Sequence, residues 1–337
     1  MGPSEGFGVR SGRGGYLIHA IFDARSRGEG EGTKEGRTKV EGAIGSLGAE
    51  AGKLVSLVFY RGFARFRDML LEFTKMNGAG NDFILLDNRD QRIRLQPNQV
   101  VKLCDRHRGI GADGVFLLIP CRSGKADWAW EFYNSDGGTA EMCGNGARCF
   151  ARFGQRLTGI GGQVTFETGA GVIRATFEGD RVTVNLTEPR ELRLAQKVSL
   201  SAGTETVHSL NTGVPHAVIF VEDTEKAMVG TLGPEIRYHP HFAPKGTNVN
   251  FAQWLGSGSI RVRTYERGVE GETLACGTGV TAAALIAARI HRFPSPVAVQ
   301  VRGGDTLEVS FVEAGDGYKD VRLTGPADFV FEGKVEI

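Results

Sequence analysis

The sequence predicts an α+β fold made of two similar domains. Three observations lead to this prediction. Strand-like runs clearly outnumber long helical ones, two Cys-Gly-x-Gly motifs occupy equivalent places in two halves of the chain, and a helical pattern follows each motif. The 337 residues are also enough for two domains of ordinary size, each with its own core.

The strands are predicted from runs of β-branched and aromatic residues that Gly, Asp, Asn or Pro bound on either side. An alternating apolar stretch directly after Met69 also looks like the edge of a folded domain. The predicted strands cover residues 83–86, 115–119, 182–185, 217–221, 260–264, 297–301 and 309–312.

Two helices are predicted directly after the Cys-Gly-x-Gly motifs, at residues 147–157 and 280–289. The second helix is dense in alanine, which is typical of a helix packed tightly inside a sheet. Each cysteine would then stand at a glycine-flanked loop that leads into a helix N-terminus.

The two motifs belong to an internal repeat. Cys143 and Cys276 lie 133 residues apart (276 minus 143). The same offset relates two further pairs of landmarks, Asn81 with Val214 and Asn134 with Arg267. Three landmarks with one offset predict two similar domains that present equivalent elements to a shared cleft.

Composition and charge disfavour several classes of partner. Forty Lys and Arg against 39 Asp and Glu leave a net charge of +1, so nothing favours nucleic acid or a membrane surface. No apolar run approaches the roughly 20 residues of a transmembrane helix. The five cysteines contain no C-x-x-C pair, which argues against a disulfide framework and a structural zinc site. We therefore expect a reduced, cytoplasmic compartment.

Residues 1–68 differ from the rest of the chain. They contain Gly-rich pieces and mixed charges but no sustained helical or strand period. They lack the apolar core of a signal peptide, and their glutamates argue against a transit peptide. We interpret them as a disordered extension or an upstream mis-start of the reading frame. The alternative, a functional appendage, has no motif to support it.

A cysteine at a helix N-terminus can take part in proton transfer. The unpaired N–H groups and the helix dipole predict a lowered thiol pKa, and glycine-flanked N–H groups can bind a carboxylate. Two such elements facing each other would place an acid and a base on opposite faces of one carbon, as stereoinversion at an amino-acid α-carbon requires. No cofactor need take up the electrons if preorganised donors supply enough stabilisation. The other three cysteines are interpreted as inert or core residues: Cys104, Cys121 and Cys149.

At these residues the chain resembles the diaminopimelate epimerase family. The matching segments are FTKMNGAGNDF (73–83), RHRGIGADG (106–114), NSDGGTAEMCGNGARCFARF (134–153), PHAV (215–218), GTNVNFAQ (246–253) and YERGVEGETLACGTG (265–279). The resemblance implies two domains, each a mixed sheet wrapped around a central helix, with the active site in the cleft between them. We expect domains at 69–188 and 189–324, and a last strand at 325–337 that returns to the first domain.

The resemblance also implies a function. The protein would be a cofactor-independent, homodimeric epimerase that interconverts LL- and meso-diaminopimelate on the route to lysine and peptidoglycan. Cys143 and Cys276 would be the proton-transfer pair, His216 would help to ionise or orient Cys143, and Glu266 is the fourth catalytic candidate. Glu272 flanks the second thiol in the same motif.

The implied substrate contacts form two groups. One group, which would hold the reacting carboxylate, consists of Gly144, Asn145, Gly277 and Thr278. The other group, which would grip the distal amino-acid end of the substrate, consists of Asn81, Asn134, Asn248, Glu266 and Arg267. A guanidinium offers a planar fork for a second carboxylate, whereas proline would need only the first group.

Two departures from the family pattern bear on substrate contacts. Val214 stands where many members have asparagine, and Gly114 stands where others have glutamine. Neither departure affects the proton-transfer pair, so we expect them to change substrate affinity and not reaction type.

Three alternatives remain open. A proline or hydroxyproline isomerase of the same fold also transfers protons with two cysteines. That group, however, carries a histidine where this chain has Asn145, and it lacks the YERG run. Loss of either cysteine would favour a binding protein that has lost catalysis, and both cysteines are present. A thiol redox protein is disfavoured because no C-x-x-C pair exists.

The run GIGADG (109–114) matches G-x-G-x-x-G, but it does not follow a strand, so a dinucleotide site is disfavoured.

Overall fold

A computed structural model of the chain describes residues 69–140 and 142–337. The interpretation of residues 1–68 lies outside the described residues.

The first half of the described chain contains seven strands and two helices. In chain order they are β1 (Leu70–Gly78), β2 (Asn81–Asp87), α1 (Pro97–Cys104), β3 (Gly114–Pro120), β4 (Trp128–Asn134), α2 (Gly144–Thr158), β5 (Gln163–Thr168), β6 (Gly171–Glu178) and β7 (Arg181–Asn185).

The second half repeats this arrangement with additions. Its elements are β8 (Arg190–Leu200), β9 (Gly203–Asn211), β10 (Pro215–Val221), α3 (Val229–Arg237), β11 (Asn248–Gly256), β12 (Ser259–Glu266), β13 (Gly271–Thr273), α4 (Gly277–His291), β14 (Val297–Val301), β15 (Thr306–Ala314), β16 (Gly317–Pro326) and β17 (Asp328–Glu336). None of the helices in the described part of the chain is long and apolar enough to cross a membrane.

Strand pairing shows the repeat directly. The order in the first half is β17-β1-β2-β3-β4-β5-β6-β7, and the order in the second is β8-β9-β10-β11-β12-β14-β15-β16, with β13 beside β12. The pairs β2–β3 and β4–β5 are parallel, as are β10–β11 and β12–β14. Antiparallel pairing of β7 with β16 joins the two halves. The predicted α+β class with mixed sheets is confirmed.

The last strand completes the first sheet. β17 pairs antiparallel with β1, so that Leu70 stands opposite Glu336 and Asn77 opposite Asp328. The first half therefore has eight strands only because the C-terminal segment returns to it.

Helices α2 and α4 are the centres of the two halves. In α4 the side chains from Val280 to Ala288 are all buried, as expected of an alanine-rich helix that a sheet surrounds. In α2, glycines allow the helix to approach aromatic residues of the sheet. A Cβ on Gly154, for example, would lie 2.6 Å from Cζ3 of Trp128.

Both helices begin three residues earlier than predicted. They start at Gly144 and Gly277 because each cysteine is itself the N-cap, so the Gly-x-Gly of the motif forms the first helical turn. Each helix ends at a residue in the left-handed conformation, Gly159 (φ 70°) and Arg292 (φ 56°).

Candidate active site

Both predicted catalytic cysteines lie at helix N-caps, in extended backbone conformation. The N–H of Gly146 donates to Sγ of Cys143 at 3.4 Å. On the other helix, Oγ1 of Thr278 lies 3.5 Å from Sγ of Cys276. Each thiol therefore contacts polar groups of the helix turn that follows it.

The first turn of each helix offers N–H groups that have no acceptor within the helix. The first intrahelical hydrogen bonds run from Ala147 N to Cys143 O and from Val280 N to Cys276 O. The residues between each cysteine and its first intrahelical donor have no helical acceptor for their N–H groups. They include the four predicted carboxylate donors, Gly144, Asn145, Gly277 and Thr278.

The two helix N-termini meet at a pair of glycines. A Cβ on Gly144 would lie 3.5 Å from Cα of Gly277, and a Cβ on Gly277 would lie 3.3 Å from Cα of Gly144. Either Cβ would also lie within 3.2 Å of Leu323 on β16. Glycine at both positions therefore permits the close approach that brings the two cysteine-capped termini together.

Burial opposes ionisation of both thiols. It raises the pKa of Cys143 to about 11, although the Gly146 N–H and the Arg148 charge act in the opposite direction. Burial raises the pKa of Cys276 still further, and the Glu266 carboxylate contributes in the same direction at both thiols. The sequence-based expectation of a lowered thiol pKa is therefore wrong for this state of the protein, because desolvation outweighs the helix N-terminus.

Asn145 connects the two halves of the site. Its Nδ2 donates to Oδ1 of Asn81 at 2.6 Å and to the carbonyl of Ala275 at 3.1 Å. Its Oδ1 accepts from Nη2 of Arg148 at 3.0 Å. Asn81 in turn donates to Oδ2 of Asp113 at 2.9 Å. Because arginine only donates and a carboxylate only accepts, this chain of hydrogen bonds has a single direction, which fixes both amides.

Arg148 is a fully buried cation. Its guanidinium donates to three neutral acceptors, the carbonyls of Gly144 and Pro326 and the side chain of Asn145. Among the described residues it has no carboxylate within 4 Å. Burial lowers its pKa to about 10, which leaves it charged at neutral pH. A positive charge thus lies beside the Cys143 helix terminus.

Asp113 belongs to a charged cluster at the edge of the first sheet. Arg106 bridges Asp113 and Asp82 with contacts of 2.8 and 2.7 Å, and buried Lys75 lies 2.8 Å from Asp82. This cluster holds the carboxylate that orients Asn81. Asn134, at the end of β4, lies at the same sheet edge, since Gly114 pairs with both Phe83 and Asn134.

The second half contributes Asn248 and Arg267. Oδ1 of buried Asn248 accepts from the backbone N–H of Arg267 at 2.8 Å, and its Nδ2 donates to the carbonyl of Pro215. The guanidinium of partly exposed Arg267 donates only to the Lys245 carbonyl, at 3.3 Å. Within the described residues it has no carboxylate partner, so its planar fork is available to an anion.

His216 is buried on β10, opposite Asn248 of β11. A Cβ on Gly279 would lie 3.3 Å from its Cε1, which places the ring against the first turn of α4. Burial lowers the pKa of His216 to about 3, and the charge of Arg267 acts in the same direction. The ring is therefore neutral, and the geometry puts it beside the Cys276 helix. The expectation that His216 helps to ionise or orient Cys143 stays a prediction.

The two glutamates of the second motif differ in position. Glu266 ends β12 near both thiols, and burial raises the pKa of its carboxyl. Glu272 instead forms an ion pair with Arg263 at 2.6 Å and lies 3.8 Å from Arg302. Of the two, Glu266 is the one suited to exchange a proton with a thiol.

Known proteins resemble this chain over most of its length. The model of the family described as "Diaminopimelate epimerase" matches residues 73–192 and 208–330. A diaminopimelate epimerase of Aquifex aeolicus is 45% identical over 277 residues, which cover 79% of this chain and 98% of the relative. That of Ectopseudomonas mendocina is 41% identical over 283 residues, covering 80% of this chain and 100% of the relative.

The chain belongs to the diaminopimelate epimerase family. The family model matches the chain twice, once in each half, and this confirms the repeat.

Solved structures share the fold at low sequence identity. A hydroxyproline epimerase from Agrobacterium vitis superposes with a TM-score of 0.64 at 17% identity, over 81% of this chain and 94% of that one. A PhzF-family phenazine biosynthesis protein of Bacillus anthracis gives 0.62 at 13% identity, over 80% and 100%. These likenesses support the two-domain architecture of this family member.

The two departures from the diaminopimelate epimerase pattern have different settings. At Gly114 a Cβ would lie 2.6 Å from the Tyr133 carbonyl and 2.8 Å from the Phe132 ring. A glutamine would therefore require a backbone shift there. Val214 precedes β10 in a turn where its carbonyl accepts from Thr212 N.

Sequence reasoning on this family member missed three site residues: Arg148, Asp113 and Asn250. Arg148 and Asp113 fix the amides of the first half, and Asn250 contacts His216. A signal existed for each, because all three stand inside the quoted family segments. The interpretation of Cys149 as a core residue is confirmed, since it is fully buried.

Proposed function

We propose that this protein interconverts LL- and meso-diaminopimelate by two-thiol proton transfer at one α-carbon. The observation that carries the proposal is the meeting of two cysteine-capped helix N-termini at Gly144 and Gly277. Such a site has a carboxylate-binding region between two possible acid and base groups.

The proposed steps are proton removal from one face of the α-carbon and proton delivery to the other. One cysteine, as thiolate, takes the α-proton, and the electron pair of the C–H bond passes into the α-carbon and its carboxylate. The N–H groups of the first turns stabilise this enediolate-like anion, as does the buried charge of Arg148. The other thiol then delivers its proton to the opposite face. The substrate is neither oxidised nor reduced, and these donors and the Arg148 charge stabilise the anion in place of an electron-sink cofactor.

The distal end of the substrate is assigned to the second polar group. Arg267 would form a forked contact with the distal carboxylate, and Asn81, Asn134, Asn248 and Glu266 suit the distal ammonium. The available guanidinium of Arg267 supports a substrate with a second carboxylate. Proline has no such group.

The test is α-proton exchange in D2O under reducing conditions, with LL-diaminopimelate and L-proline offered side by side. We expect deuterium to enter diaminopimelate with loss of optical purity. Cys143→Ser and Cys276→Ser should each reduce the rate by roughly 10²- to 10⁴-fold, the usual contribution of a positioned acid or base. Cys121→Ser is the matched control, because this partly exposed thiol lies outside the site.

The alternatives give different results in the same assay. Exchange into proline alone would keep the mechanism and assign the protein to the sister group. Exchange into neither substrate would favour a binding protein. The proposal also includes the homodimer, the cytoplasmic location and the domain bounds at 69–188, 189–324 and 325–337. Sedimentation velocity measures the first of these.

A further inference from the structure

The ring of His216 has one contacted nitrogen and one uncontacted nitrogen. Nδ1 lies 3.2 Å from Nδ2 of Asn250, and both side chains are fully buried. Nε2 has no hydrogen-bond partner among residues 69–140 and 142–337. In a neutral imidazole one nitrogen donates and the other accepts, and the partner of one nitrogen decides the state of the other.

The orientation of the Asn250 amide is fixed from two sides. Its Nδ2 donates to the carbonyl of Ala217 at 2.9 Å, and its Oδ1 accepts from the hydroxyl of Thr264 at 2.9 Å. A backbone carbonyl can only accept, so the amide nitrogen must face Ala217. A flipped amide would set two oxygens against each other in a buried site, which is strongly unfavourable.

The fixed amide determines the tautomer of the histidine. Nδ2 of Asn250 has two hydrogens, one for Ala217 and one directed at Nδ1 of His216. Nδ1 must then be unprotonated, because an N–H there would oppose the amide N–H. In the neutral ring the proton is therefore on Nε2.

We propose that Asn250 is a positioning residue that holds His216 as its Nε2–H tautomer, so that His216 donates a hydrogen bond into the active site and does not accept a thiol proton. The ring lies against Gly279 in the first turn of α4. There a neutral donor adds to the helix N–H groups that face a thiolate or a carboxylate.

This inference rests on the proposed function, because it assigns the chemistry of one residue at the same site. The sequence predicts that His216 either ionises Cys143 or orients it, and the tautomer distinguishes these two roles. In this tautomer Nε2 cannot help to ionise a thiol by taking its proton, whereas it can orient and stabilise an anion. Glu266 remains as the residue suited to take the proton.

The first measurement is the tautomer itself. Long-range ¹H–¹⁵N correlation spectra of ¹⁵N-histidine-labelled protein distinguish Nε2–H, Nδ1–H and doubly protonated rings. His216→Gln identifies the His216 signals among the seven histidines. We expect Nε2–H from pH 6 to 9. An Nδ1–H ring, or a doubly protonated ring at pH 7, would overturn the inference whether or not the protein turns over diaminopimelate.

The second measurement uses Asn250→Asp, an isosteric change in which a protonated carboxyl oxygen replaces Nδ2, still donates to the Ala217 carbonyl and now accepts a hydrogen bond from Nδ1. We expect the proton to move to Nδ1 and kcat for diaminopimelate to fall on the order of 100-fold, as for loss of one preorganised donor. Thr264→Val is the control, because it removes only the far contact of the amide and should keep the Nε2–H tautomer.

The outcomes of the second measurement separate the two parts of the proposal. An Nε2–H ring in Asn250→Asp would refute the positioning role of Asn250. An exchanged tautomer with unchanged kcat would refute the donor role of His216. If the variant does not fold, the tautomer measured in the wild-type protein still tests whether His216 carries its proton on Nε2. The D2O exchange assay on the wild-type protein tests the proposed function separately.

Discussion

Alkylation of Cys143 should show how far burial suppresses its ionisation. Burial raises the pKa of this thiol to about 11, against 9.0 for an ordinary thiol. At pH 8 the thiolate fraction is then about one in a thousand instead of about one in ten. A more basic thiolate is intrinsically more reactive, by roughly tenfold for two pKa units. The expected rate at pH 8 is therefore about tenfold below that of an ordinary thiol.

The slope of rate against pH is the sharper measure. Since the pKa lies above the accessible range, the iodoacetamide rate at Cys143 should rise about tenfold per pH unit from pH 7 to 10, without a plateau. Peptide mapping by mass spectrometry follows Cys143 separately from Cys121, which serves as the reference because both thiols are partly exposed. Cys276→Ser removes the second site thiol and should leave the slope unchanged.

A plateau below pH 9 would refute this reasoning. It would mean that the N–H groups and dipole of α2 outweigh desolvation, which was the expectation from the sequence alone. A plateau seen only with substrate bound would instead mean that the substrate changes the balance, and the free protein would still behave as argued.

Two further predictions concern the approach of the helices and the distal contact. Gly277→Ala should reduce kcat by about 10- to 100-fold and stability by about 1–3 kcal/mol, because the new Cβ would lie 3.3 Å from Cα of Gly144. Gly230→Ala in α3, with open space around it, is the control; equal kcat and melting temperature in both variants would contradict the argument. Arg267→Lys should raise KM for diaminopimelate by about 10- to 100-fold, since a lysine cannot form the fork. Unchanged KM, compared with Arg302→Lys, would remove Arg267 from the distal contact.

Much of the fold was predictable because the repeat stands in the sequence. The offset of 133 residues that relates Cys143 and Cys276 also relates both ends of α2 and α4. Each of the seven predicted strands lies within an observed strand. Apolar runs with turn residues at their ends identify buried strands well, since burial demands both features.

Several observed elements were not predicted, and three of them show different reasons. Strand β8 is mostly exposed and polar, and its pairing with β9 shifts register between Arg190 and Gln196, so it shows no clean alternation. Helix α3 contains Pro234 and two glycines, which reduce its helical propensity. Helix α1 did carry a signal, since Pro97 at its first position and Gln99, whose side chain accepts from the Gln96 N–H, mark a helix start.

The site was less predictable than the fold, for a physical reason. Sequence patterns identified residue types with suitable chemistry, and the structure gathers Asn81 with Asn145 and Asn248 with Arg267 as expected. The direction of a pKa shift, however, depends on how much solvent reaches a group. Burial of Cys143 is a property of the assembled halves, and no local motif reports it.

The raised thiol pKa values are compatible with two-thiol chemistry once protons are counted. An exchange across one carbon needs one thiol and one thiolate in the same complex. Two thiols with low pKa values would both ionise, and no acid would remain. Two neutral thiols, of which Cys143 is partly buried and Cys276 buried, keep the acid, and the base then requires the removal of a single proton. Glu266, near both thiols and with its own pKa raised by burial, can take that proton. The transfer turns one thiol and one carboxylate into one thiolate and one carboxylic acid. It therefore leaves the net charge of the buried site unchanged and avoids the large desolvation cost of creating a new charge there.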